Sequence, residues 1–319
     1  MSPRTIGLLD RKLLFVTGKG GVGKTSVASA IGMLAASRGK RTLVCEVDSK
    51  GNLADFLGVG PLRFQPTEVR KGLYAMSMDT EESLKEYLRL NLKVPLLAKM
   101  GPLARTFDFV ANAAPGVNEL LTVGKFTWEV RERTYDLVVV DASATGHVVG
   151  QLAAPVAIND LVKVGIVRSQ TDWMIDILTD ADTTGVVVVT VPEEMPVTET
   201  LELIDRLRGE TQIDVASVVV NRVLPELFGR SEEETFERLR KPDGIAALEA
   251  AVGGGVEPVL DGAELAVSLR RSRVPHLERL RQGLPAGLPV MYLPFLFHRS
   301  HGVRATSRIA EAFGDELGF

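Results

Sequence analysis

Three runs in this chain carry no polar residue: Leu137-Val138-Val139-Val140, Val186-Val187-Val188-Val189 and Val218-Val219-Val220. Successive side chains of a strand point to opposite faces, so a strand with one wet face alternates apolar and polar residues. A strand that is apolar at every position is covered on both faces. These runs therefore call for a parallel sheet with helices on either side. Further strand candidates at 13–17, 42–47, 73–78 and 289–293 join those at 136–141, 185–191 and 214–220. Helical patterns fall between them at about 25–38, 197–209, 232–252, 262–282 and 303–317. The alternation predicts an α/β fold with a doubly wound, mostly parallel sheet.

With 319 residues and 45% hydrophobic content, the whole of 1–319 reads as one domain with a large core. One stretch breaks the alternation. Between the strand candidates at 73–78 and 136–141 there is room for several helices and no strand. Residues 79–130, with part of 151–184, are expected to form an inserted helical sub-domain. Asp79 or Thr80 caps its first helix. Leu84, Tyr87, Leu88, Leu92, Leu96 and Leu97 follow at helical spacing, then Leu103, Phe107, Phe109, Val110, Leu120, Leu121, Phe126 and Trp128. Side chains of this kind more often form core than a ligand groove.

Directly after the apolar run Leu13 to Val16 comes Gly18-Lys19-Gly20-Gly21-Val22-Gly23-Lys24-Thr25. Glycines let backbone N–H groups curl around phosphate oxygens. A lysine at position 24 reaches the β- and γ-phosphates, and the Thr25 hydroxyl is a Mg²⁺ ligand. A helix beginning at Lys24 points its positive end at the same anions. The expected phosphate-binding set is Gly18, Gly20, Gly21, Val22, Gly23, Lys24, Thr25 and Ser26, and the expected cofactors are ATP or ADP with Mg²⁺. Gly18, Gly20 and Gly23 also fit a dinucleotide fingerprint, with Glu46 as the ribose-binding acid. Lys24-Thr25 favours the triphosphate, because a dinucleotide site has no use for that pair.

Asp141 ends a buried strand and is the candidate metal-holding acid, with Thr25. It opens Asp141-Ala142-Ser143-Ala144-Thr145-Gly146-His147, where the Gly146 amide could sense the γ-phosphate. Asp48 ends the second strand and is the candidate for orienting the attacking water; the competing role is capping a helix at 52–57, by Asp48 or Ser49. Lys19 is surplus to a nucleotide already held by Lys24 and backbone amides. A lysine there can instead reach a partner chain's nucleotide, as an arginine finger does. Lys19, Lys24 and Asp48 are thus the candidate catalytic residues.

The G-K-G-G-x-G-K-T form resembles the deviant Walker A ATPases, and further motifs narrow this to the ArsA family, which includes the arsenite-pump ATPase and the tail-anchored-protein targeting ATPase. That family's switch II, D-T-A-P-T-G-H, is similar to Asp141-Ala142-Ser143-Ala144-Thr145-Gly146-His147. Its switch I, D-P-A-H-N-L, is similar to Asp48-Ser49-Lys50-Gly51-Asn52-Leu53, with Lys50-Gly51 in place of Ala-His. Pro192-Glu193 with Glu199-Thr200, and Pro115-Gly116-Val117-Asn118-Glu119, resemble two more of its motifs. The resemblance implies an ATP-sandwich dimer with Lys19 acting in trans, Asn221 on the adenine side, and Pro294 in the nucleotide-binding set. It implies a membrane-related client, either a transporter or an apolar protein segment. The pump's arsenite-binding cysteines and the targeting ATPase's CxxC have no counterpart, since Cys45 is the sole cysteine and lies in a strand candidate.

Lys+Arg 37 against Asp+Glu 41 gives a net charge of −4, so no nucleic-acid partner is expected. The first residues lack an apolar leader and no stretch has the length of a membrane span, which reads as a cytoplasmic protein. One P-loop in the chain means that a sandwich site needs a second chain, as a homodimer or with a paralogous ArsA-like chain. The altered switch I leaves room for a nearly inactive nucleotide-binding subunit. A ParA- or MinD-like positioning ATPase is disfavoured by the acidic C-terminal segment.

Overall fold

The computed structural model describes residues 6–48, 52–92, 116–297 and 302–319. Ser49, Lys50, Gly51, Leu96, Leu97, Leu103, Phe107, Phe109, Val110 and Pro115 lie outside the described residues.

Strand β1 (Leu13–Gly18) leads through the glycine loop into α1 (Lys24–Ser37). Then follow β2 (Thr42–Glu46), α2 (Asn52–Leu57), β3 (Thr67–Arg70), β4 (Leu73–Ser77), α3 (Thr80–Leu92), α4 (Val117–Arg131) and β5 (Leu137–Ala144). The second half holds α5 (Thr145–Leu161), α6 (Ile166–Thr179), β6 (Thr184–Thr190), α7 (Glu194–Glu210), β7 (Val215–Val223), α8 (Arg230–Leu239), α9 (Pro242–Val252), α10 (Glu257–Gly283), β8 (Val290–Pro294) and α11 (Val303–Glu316). Among the described residues the strands form one eight-stranded sheet in the order β3-β4-β2-β5-β1-β6-β7-β8. Every pairing is parallel except β3 with β4. The doubly wound α/β reading holds.

The apolar runs are explained by how they divide. Leu14, Val16, Val139, Val187, Val189 and Val219 face one core, closed by Ile31 of α1 and Phe313 of α11. Leu13, Phe15, Val138, Val140, Val186, Val188, Val218 and Val220 face the other, closed by Phe126 of α4 and by Ile204 and Leu207 of α7. Alternation persists, but both faces are dry. Phe126 is fully buried and meets Phe15 edge-on, with ring centroids 6.3 Å apart. Replacing it by alanine removes an aromatic anchor and leaves a cavity, so Phe126→Ala should lower stability by about 3–5 kcal/mol, read from the shift of its urea-unfolding midpoint.

Two expectations are corrected in detail. The helix expected at 232–252 is two helices. Pro242 starts α9, and Lys241 before it is extended at φ −71°, ψ 154°, because the proline ring excludes the helical conformation from the preceding residue. Strand β3 was not anticipated. It pairs antiparallel on the outer edge of β4, and its side chains are largely exposed, so it lacks the apolar run that marks the other strands. Its legible signal was the Lys71-Gly72 turn before β4. The cap on α3 is Asp79, whose Oδ1 accepts the Glu82 N–H at 2.9 Å.

Candidate nucleotide site

The glycine loop sits at the C-terminal edge of the sheet, where β1 ends between β5 and β6. Gly18 has φ +150°, and a Cβ on it would stand 2.1 Å from the Val189 carbonyl oxygen of β6. Gly23 has φ +98°, and a Cβ there would stand 2.4 Å from the Asn221 amide nitrogen. Both positions exclude a side chain by conformation and by space. Gly20 and Gly21 meet nothing within 4 Å. The loop is thus clamped at both ends and open at its middle, which is the shape a backbone cradle for an anion requires. Val22, 1% exposed, anchors the loop in the core.

Thr25, in the first turn of α1, donates its hydroxyl to Asp141 Oδ2 at 2.6 Å. Asp141 is 6% exposed, and its Oδ1 is buried without a hydrogen-bond partner. Burial pushes this carboxyl up to about 6; the Thr25 hydrogen bond and the Lys24 charge pull it down, while Glu46 and Asp48 push it further up. A buried carboxylate oxygen left unpaired beside a threonine hydroxyl is what a divalent cation would satisfy. The residues present therefore fit Mg²⁺. Lys24 Nζ lies 3.4 Å from the Lys19 carbonyl oxygen, folded back over its own loop.

Asp48, exposed at the end of β2, accepts a hydrogen bond from Ser143 Oγ at 3.4 Å. Ser143 in turn accepts through its carbonyl from Thr17 Oγ1 at 2.9 Å. The two switch-like segments are thereby brought together over β1. Glu46, rather than Asp48, receives the amides that open α2: its Oε1 accepts from Asn52 at 3.0 Å and Leu53 at 3.4 Å. Glu46 is 3% exposed, which removes it from the ribose role that a dinucleotide site would give it. Gly146 lies in the first turn of α5 with open space at its Cα. Asn221 ties the site together by donating to the Val22 carbonyl at 2.8 Å, while its Oδ1 accepts from the Arg222 amide at 2.9 Å. Arg222 pays for this with φ +58°. Pro294 ends β8, exposed, beside Val223 of β7. Ser26 is half-buried in the first turn of α1.

Lys19 does not point into solvent. It pairs with Glu199 of α7, and the other oxygen of that carboxylate accepts from Thr145 Oγ1 at 3.4 Å. Glu199 stood in the sequence as part of a motif without a role. No local signal marks it, because the partners are 180 positions apart. Cys45 is fully buried, and burial pushes its thiol well above the usual range, so it behaves as a core residue.

A second feature lies between α3, α4, α5 and α6. A cavity of about 280 Å³ is lined mainly by apolar side chains, among them Leu84, Tyr87, Leu120, Trp128, Trp173 and Met174. Phe126 is core as expected, whereas Leu120, Leu121 and Trp128 line the cavity. One end is polar: buried Lys125 holds Glu86 at 2.7 Å and Glu129 at 2.8 Å.

The sheet, the clamped loop and the Thr25–Asp141 pair define a nucleotide-site architecture of the P-loop class. The chain belongs to the ArsA family, whose model, described as anion-transporting ATPase, matches residues 11–170 and 167–243. It is 32% identical over 225 residues to ATPase BagA of Mycobacterium tuberculosis, covering 67% of this chain and 66% of that one. It is 29% identical over 253 residues to a putative arsenical pump-driving ATPase of Halobacterium salinarum, covering 72% of this chain but 38% of that protein. An ATPase ASNA1 homolog of Paramecium tetraurelia is 28% identical over 254 residues, 67% of this chain and 75% of that one. The chain thus spans just under two thirds of the mycobacterial relative. Among the described residues no helix is long and apolar enough to cross a membrane.

Proposed function

We propose that this chain is a Mg²⁺-dependent ATPase that works as a nucleotide-gated dimer and handles a membrane-related client. The observation that carries the reading is the buried Asp141 oxygen without a partner, beside Thr25 and an open glycine cradle. Thr25 and Asp141 would hold Mg²⁺, which when bound neutralises charge on the β- and γ-phosphate oxygens. Lys24 swings from the Lys19 carbonyl onto the phosphates. Asp48 orients the attacking water rather than acting as a strong base, since phosphoryl transfer depends on positioning and electrostatics. The Gly146 amide meets the γ-phosphate, and Lys19 completes the site of a second chain.

The sub-domain expected over 79–130, with part of 151–184, of which the helices α3 to α6 are described, is in this reading the element that nucleotide rearranges. A client is driven only by binding one nucleotide state better than the other. The apolar cavity among α3 to α6 supports an apolar protein segment over a transporter contact. The name of the halobacterial relative, an arsenical pump-driving ATPase, keeps a transporter contact in range as the second client class. The mildly acidic chain supports no nucleic-acid partner, and the proposed site of action is the cytoplasm.

The test is phosphate release from Mg²⁺–ATP by the purified chain, wild type against Asp48→Asn. Turnover should fall by about 10²-fold or more in the variant, with nucleotide affinity kept, because the lost contact acts on the water and not on the phosphates. A wild type that binds ATP without turning it over would put a nucleotide-binding subunit of a hetero-dimer in place of this reading.

A further inference from the structure

Lys19 and Glu199 form an ion pair within one chain, at the mouth of the proposed site. The side chains are 27% and 30% exposed, so the pair is wet enough to exchange and dry enough to persist. Three observations make it more than a surface contact. Lys19 is the one loop residue that the nucleotide of its own chain does not need. Glu199 also holds Thr145, the residue before Gly146 at the start of α5. The same helix α7 is gripped at its N-cap, where Arg273 of α10 meets Glu193 at 3.6 Å. A lysine held on its own α7 is not available to another chain.

We propose that Glu199 is a positioning residue that parks Lys19 in cis and so sets the ATP-bound concentration at which the chain dimerises. The proposal rests on the reading of Lys19 as a residue acting in trans. When the γ-phosphate draws the Thr145-Gly146 segment toward it, Glu199 loses the hydrogen bond that fixes the orientation of its carboxylate, and the pair with Lys19 loses its set geometry. The lysine then leaves for the partner's nucleotide. Dimerisation is thus opposed in the resting chain by one ion pair per protomer, and closure breaks both. A part-exposed pair is worth about 0.7 kcal/mol, a factor of about 3, so removing two shifts the dimer constant by about 10-fold.

The experiment compares wild type with Glu199→Gln, Glu199→Asp and Glu202→Gln, the last removing an exposed carboxylate one turn further along the same helix that forms no ion pair with Lys19. Light scattering with Mg²⁺ and a non-hydrolysable ATP analogue should find Glu199→Gln dimeric at about tenfold lower protein concentration, with Glu199→Asp close to wild type. Acylation of surface amines in the nucleotide-free chain, followed by mass spectrometry, should label Lys19 about 3-fold faster in Glu199→Gln than in wild type or Glu202→Gln. A Glu199→Gln chain that dimerises no more readily than Glu202→Gln, or less readily than wild type, overturns the latch. The failure of the underlying reading looks different: Lys19→Ala would then dimerise as wild type does, or wild type would not dimerise at all, and the latch falls with it.

Discussion

Lys19→Ala should lower ATP turnover by about 10³-fold or more, the effect of removing a cationic finger supplied across an interface, while the monomer still binds nucleotide. The reason for the split is geometric. In the proposed site Lys24, Thr25 and the loop amides would hold the phosphates within one chain, and Lys19 is turned away from that loop onto Glu199. Its loss leaves the resting site intact and deprives only the closed one. A mixing experiment separates action in trans from action in cis. In a dimer of Lys19→Ala with Asp48→Asn, the site on the Lys19→Ala chain keeps its own Asp48 and receives Lys19 from the other chain. That site is whole; the second lacks both groups. An equal mixture of two inactive variants should therefore recover about a quarter of wild-type turnover, because half the dimers are mixed and each has one working site of two. Recovery at the level of either variant alone would mean that Lys19 serves its own nucleotide.

Asp141→Asn should abolish Mg²⁺-dependent turnover and, at the same time, stabilise the nucleotide-free chain above pH 6. The carboxyl titrates near 6 in the folded chain against an ordinary value of 3.8, chiefly because burial disfavours the charge. The folded state therefore holds its proton over a range where the unfolded chain has lost it. Stability from this group is present below the unfolded value and falls as pH rises from 3.8 through about 6. An asparagine carries no charge to desolvate and keeps an oxygen for the Thr25 hydroxyl. The gain should be about 1–3 kcal/mol at pH 7.5 and close to zero at pH 4, measured by chemical unfolding without metal or nucleotide. A variant less stable than wild type at pH 7.5 would mean that Asp141 is held for structure and not for a cation.

These opposed effects have one cause. A site that keeps a carboxylate buried and half-unpaired is less stable alone than it need be, and it recovers that loss when ligand binds.

Much of this was legible in residue order because it depends on neighbours along the chain. A glycine loop between a buried strand and a helix is a local object, so Gly18 to Thr25 could be read at sight. The valine runs told of two dry faces because alternation has period two and nothing polar interrupts it. Where a local signal was weak, the reading slipped. Strand β3 carries exposed side chains on a sheet edge, and the Lys241-Pro242 break was hidden inside an apolar periodicity. The acid that meets the start of α2 is Glu46, weighed in the sequence only as a ribose-binding group, because which of two nearby acids reaches Asn52 depends on how β2 ends.

The sequence by itself determined the fold class, the phosphate loop and its family, since these rest on periodicity and on contiguous residue types. Only the tertiary structure decided which distant side chains complete the site. It brought Asp141 to Thr25, Asn221 to the Val22 carbonyl and Glu199 to Lys19, across separations of 116, 199 and 180 positions. Parallel strands are joined by long crossovers, so residues that share one sheet edge lie far apart in the chain. No pattern along the chain records that edge.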